Sequence, residues 1–65
     1  RQPRARVAFE VACAVARTGD ANAALAWVQR ALDDGFLGGS ILDTEPDLAT
    51  VRALPSWPSV RARAR

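Results

Sequence analysis

Residues 7–35, VAFEVACAVARTGDANAALAWVQRALDDG, decide how this chain folds. Val7, Val11 and Val15 recur at i, i+4 and i+8 with Ala8 and Ala12 beside them, which predicts one apolar face of a helix. Ala8, Ala12, Ala14 and Ala16 add the strongest helix-forming residue. Thr18-Gly19-Asp20 breaks the pattern. Gly19 can take the positive φ that ends a helix, and the Asp20 carboxylate can cap the next one. Ala21, Leu25, Val28 and Leu32 then form a second stripe, with Ala24 and Ala31 alongside, and Gly35 follows as a left-handed stop. Ala12, Ala24 and Ala31 sit where bulk would hold two helices apart, so the axes are expected near the lower end of the usual ~8–10 Å spacing. A three-residue turn makes the two helices antiparallel neighbours.

Working outward, Pro3 suits the first turn of a helix, so the first helix is expected from Pro3 or Arg4 to Arg17 and the second from Ala21 to about Asp33. Arg30 lies one turn before Asp33 and Asp34 and can pair with either. Phe36 to Gly39 reads as a loop with Gly38-Gly39 as its flexible point. Ser40 to Asp43 allows one helical turn, with Ser40 capping and Ile41 and Leu42 facing inward. Thr44-Glu45-Pro46-Asp47 resembles a capping box ahead of a short helix, Pro46 to Leu54, that buries Leu48, Val51 and Leu54 and stops at Pro55. A last helix is expected from Pro58 to about Arg63. Trp57 and Trp27 are both expected as contacts between hairpin and tail.

The hairpin residues Ala8, Val11, Ala12, Val15, Gly19, Ala24, Leu25, Val28, Ala31 and Leu32 resemble a tetratricopeptide (TPR) repeat. The match spans about 34 residues, the period of that repeat. Ala8 and Val15 stand where many such repeats carry Trp and Tyr, and Phe36 stands where Pro is usual. The tail pattern GF-x(5)-L-x-x-E-P-D-L-x-x-V-R-x-x-P-x-W is similar to the segment that closes some bacterial TPR arrays, on Gly35, Phe36, Leu42, Pro46, Asp47, Leu48, Val51, Arg52, Pro55 and Trp57. The resemblance implies an all-α fold, with a TPR-like hairpin over residues 3–35 and a helical C-terminal capping segment over residues 36–65, as at the end of an α-solenoid. It implies a protein–protein interaction or scaffolding role. The first helices of such arrays line a peptide groove, and the matching positions here are Arg6, Phe9, Glu10, Cys13 and Arg17. Arg6 and Arg17 would pair with a ligand carboxylate, and Phe9 would be an apolar anchor or a packing contact with a preceding repeat or a second copy.

Sixty-five residues allow one small domain. A chain of this size buries only ~60% of its unfolded surface, and a lone core would supply ~3–5 kcal/mol. Fourteen of the thirty-two apolar residues are alanine, which bury little each. A neighbour is therefore expected: preceding repeats, a protein or peptide ligand, or a second copy in a homo-oligomer. The initial Arg1 suggests a piece of something longer. Nine arginines without a lysine suggest GC-rich, bacterial coding. One cysteine precludes an internal disulfide and fits a reducing, cytoplasmic setting. No apolar run approaches the ~20 residues that span a bilayer, so no membrane partner is expected.

Catalysis lacks its parts. Without His or Lys the usual nucleophile–base pairs are missing. Cys13, mid-helix between alanines, reads as a small, partly buried side chain rather than a reactive thiol. No metal site or cofactor is expected, because one Cys and no His leave carboxylates in no EF-hand spacing. Asp33, Asp34, Asp43, Glu45 and Asp47 are better explained by helix ends and caps than as an acid–base pair. Gly35, Gly38 and Gly39 lack the lysine and preceding strand of a phosphate loop. Arg1, Arg4 and Arg6 at one end and Arg61, Arg63 and Arg65 at the other could suggest nucleic acid, but they neither form one stripe nor interleave with aromatics, so solvated, frayed termini are expected instead. Two alternatives to a scaffold remain: a regulatory or accessory end of a larger bacterial enzyme or signalling protein, and a small Arg-rich nucleic-acid binder.

Overall fold

Two helices, α1 (Pro3–Arg17) and α2 (Ala21–Asp33), form the antiparallel hairpin. The computed structural model describes residues 3–64, and the chain is all-helical over them. The turn works as its chemistry dictates. Gly19 takes φ 95°. The Asp20 carboxylate accepts the Ala23 N–H at 3.0 Å and so satisfies one of the free donors at the start of α2. The far end of α2 closes with a paired motif: Phe36 N–H donates to the Ala31 carbonyl at 2.9 Å and Gly35 N–H to Leu32 at 3.1 Å, with Gly35 at φ 98°. This is the Schellman arrangement, and it ends the helix while turning Phe36 back toward the hairpin.

Alanine dominates the buried positions of the two helices. Ala5, Ala8, Ala12 and Ala16 line α1, and Ala24, Ala31 and Val28 line α2, all buried. The valine stripe expected to face inward is buried only in part, and Val15 packs against the core. Val7 is 57% exposed, and Val11 and Val15 are half-buried. Small residues on both helices permit the two backbones to approach closely.

The tail forms a second layer on one side of the hairpin. It consists of α3 (Gly39–Thr44), a 3-10 turn (Pro46–Leu48), α4 (Ala49–Arg52) and α5 (Trp57–Arg61). Leu42, Leu48, Val51, Trp57 and Val60 pack into one core with Ala12, Cys13, Ala16, Leu25 and Val28. The segment expected as one helix from Pro46 to Leu54 is thus split. Glu45, rather than Thr44, provides the cap, accepting the Asp47 N–H. Leu48 and Val51 are buried and Leu54 is half-buried. The last helix begins at Trp57 and ends at Arg61, earlier than expected. Ser40 does not cap α3, whose N-cap is Gly38, and Ile41 points outward at 45% exposure while Leu42 is fully buried. A six-residue helix has one buried side, and Leu42 takes it.

Arg52 binds the pieces of the tail together. Its Nη1 donates to the carbonyl oxygens of Leu42 and Glu45, both at 2.9 Å. These carbonyls lie at and just beyond the end of α3, where the helix supplies no partners of its own. The chain end is also tethered. Arg61 makes a two-pronged contact with Asp43 at 2.7 and 2.9 Å, and Arg63 pairs with Asp33 of α2. The frayed basic terminus expected at Arg61 and Arg63 is therefore replaced by ion pairs. Arg1 and Arg65 lie outside the described residues.

Candidate protein-binding faces

Arg6, Phe9, Glu10, Cys13 and Arg17 lie on one side of α1, at i, i+3, i+4, i+7 and i+11, next to the tail layer. The tail covers the C-terminal half of that side. Cys13 is 8% exposed inside the core, and Arg17 Nη1 holds the Asp47 carboxylate at 2.6 Å. The N-terminal half stays open. Arg6 Nε and Glu10 Oε2 pair at 3.1 Å in solvent, and Phe9 stacks on Phe36 with centroids 4.6 Å apart and planes 10° from parallel. Arg6, Phe9, Glu10, Phe36 and Ile41 line a cleft of about 310 Å³ here. Leu37, on the loop beyond Phe36, is exposed as well.

Gly38 underlies this aromatic pair. A β-carbon at Gly38 would stand 2.7 and 2.9 Å from the Phe36 ring and 3.1 Å from Ile41. The glycine expected as a flexible point is in fact the seat of a ring.

The tail brings two carboxylates to the buried thiol. Cys13 Sγ and carboxylate oxygens of Glu45 and Asp47 lie within 4.8 Å of one another, a grouping invisible in sequence because Cys13 lies far along the chain from Glu45 and Asp47. Burial, then the charges of Glu45 and Asp47, push the Cys13 thiol above its ordinary value, so it is protonated at neutral pH. A thiol in that state is a poor nucleophile and a poor metal ligand. The carboxylates are occupied, Asp47 by Arg17 and Glu45 by the Asp47 backbone N–H. Of this group, Asp47 joins the tail to the hairpin through Arg17.

Among the described residues, nothing covers the opposite side of the hairpin. Arg4, Val7 and Ala8 of α1 and Trp27, Arg30 and Asp34 of α2 line a cleft of about 270 Å³ along it. Trp27, at 37% exposure, belongs to this side and does not join hairpin to tail; Trp57 alone does that, buried to 7% exposure. Val7 and Trp27 are both offset from the buried alanines of their helices, and an apolar residue so offset on the side away from the tail has nothing among the described residues to cover it.

Most of the described arginines have acceptors within the chain. Arg6, Arg17, Arg30, Arg61 and Arg63 each pair with a carboxylate, and Arg52 is held by carbonyls. Arg4, on the uncovered side, has no such acceptor among the described residues. No described helix is long and apolar enough to cross a membrane. Comparison of the chain with protein-family descriptions, with curated proteins and with solved structures found no match.

Proposed function

We propose that this chain is a protein–protein interaction module, built as the terminal TPR-like hairpin of a helical array with its tail as the cap. The observation that carries this reading is the inequality of the two sides of the hairpin. One side is sealed by Leu42, Leu48, Val51, Trp57 and Val60. The other presents Val7 and Trp27 in an apolar cleft. A terminal repeat needs such a seal for solubility, and an unsealed side needs a partner. The mechanism is shape and charge complementarity without bond chemistry. The Arg6, Phe9 and Glu10 cleft offers a second peptide contact. The engagement of most arginines with acceptors in the chain supports this reading over a nucleic-acid surface, which needs cations free to meet phosphates.

The test is the double variant Leu48→Ala with Trp57→Ala. The proposal expects the apolar side of the hairpin to be exposed, with loss of helicity by circular dichroism and of solubility. Unchanged helicity and solubility would remove the capping role from the tail.

A further inference from the structure

The trough along the uncovered side of the hairpin is about 270 Å³. That is below the ~300–1,000 Å³ that typically encloses a small organic ligand. It runs between two antiparallel helices, with Val7 on one and Trp27 on the other. A trough of this form accepts side chains from a third helix laid along it.

Charge decides which helix. Arg4 and Arg30 line the trough from opposite helices, and Asp34 is its one acid. Asp34 is already within reach of Arg30, at 3.4 Å. Arg4 is left as a guanidinium with no carboxylate or carbonyl acceptor among the described residues, and its donors are set in a fork that matches a carboxylate. A second copy of this chain would bring the same positive excess to the contact. A helix with acidic residues beside its apolar stripe would cancel it.

The geometry points to an acidic amphipathic helix of another protein as the occupant of this trough, with an aliphatic or aromatic side chain between Val7 and Trp27 and a carboxylate on Arg4. This inference rests on the reading of the chain as an interaction module, and it names the partner's chemistry.

The test uses the whole chain and a fluorescein-labelled peptide of roughly 18 residues, long enough for helix formation, with leucines on one face flanked by glutamates. A twin carries Gln at every Glu. Anisotropy titrations at low salt should show the Glu peptide binding and the Gln twin binding about tenfold more weakly, the loss expected for charge-assisted contacts. Arg4→Gln should reduce the Glu peptide to the level of its twin and leave the twin unchanged. Val7→Glu should abolish binding of both. Both positions are exposed, and circular dichroism confirms that each variant is folded. Equal binding of the two peptides, lost in Val7→Glu, would overturn the acidic-partner inference and leave the interaction reading standing. No binding of either peptide, or binding that survives Val7→Glu, would overturn the trough as a docking site. Self-association in sedimentation equilibrium that disappears in Val7→Glu would make the occupant a second copy, and loss of Glu-peptide binding when preceding hairpins of the same protein are joined to the chain would make it one of those; either would overturn the proposal.

Discussion

Phe9 of α1 and Phe36 of the loop after α2 stack nearly parallel, with ring centroids 4.6 Å apart. The contact follows directly from the end of α2. The Gly35 turn reverses the chain, and the hydrogen bond from Phe36 N–H to Ala31 fixes where the next side chain points. Stacked pairs contribute ~0.5–1.5 kcal/mol beyond their burial. A double-mutant cycle of Phe9→Leu and Phe36→Leu, read by urea denaturation, should return a coupling in that range. Strict additivity would mean that the two rings are independent. Gly38→Ala should cost a similar amount, because the added methyl displaces the Phe36 ring.

Arg52 gives the largest polar effect expected in the tail. Arg52→Met keeps the length of the side chain and removes the donor to Leu42 and Glu45. Two partly buried carbonyls then lose their partner, at about 1–3 kcal/mol in total. A chevron or equilibrium urea curve measures it. A change under ~0.5 kcal/mol, typical of an exposed substitution, would show that water replaces the guanidinium freely.

The buried alanines predict an inversion of the usual size rule. Ala12→Leu should destabilise by about 1–3 kcal/mol through overpacking. Val7→Ala, although it deletes a larger apolar group from the same helix, should change stability by less than ~0.5 kcal/mol. Thermal melts of both variants decide this, and the reverse order would return the valines to the interior.

How much of this was legible in the sequence depends on the range of the interaction. Gly19, Asp20 and Gly35 act locally, and their roles follow from backbone geometry alone, so the bounds of both long helices were readable. The all-helical class follows from the same residues. Which residues of α1 are most deeply buried was not readable from hydropathy, because valine outranks alanine on any scale while close approach favours alanine. Trp27 and Trp57 are chemically identical, and only the side on which the tail lies separates them. Among the groove candidates, the placement of Cys13 and Arg17 depended on Glu45 and Asp47 arriving from far along the chain. No local pattern carries that information.

Acid should loosen the tail. The Arg61 guanidinium holds Asp43 below its ordinary value of 3.8. A depressed carboxylate contributes stability above its unfolded pKa and loses it as pH falls through the folded value. Melting temperature followed from pH ~5 down to ~2 should therefore fall less steeply in Asp43→Asn than in the parent chain. Identical acid limbs would remove this pair from the account. Cys13 has the opposite sign. Its thiol is raised above 9.0, mainly by burial, so its contribution is present below that value and is lost as pH rises through the folded pKa. Reaction with a disulfide reagent at mildly alkaline pH should be slow in the folded chain and fast in urea. Fast reaction in the folded state would place the thiol outside the core.

The central claim is that the hairpin has one side sealed by its own tail and one side open for a partner. Collisional quenching of tryptophan emission by acrylamide tests it most directly, in Trp57→Phe, where only Trp27 reports, and in Trp27→Phe, where only Trp57 does. Trp27 in the chain alone should be quenched far more readily than Trp57, and added partner helix should shield it. Equal protection of the two tryptophans in the chain alone would contradict the claim.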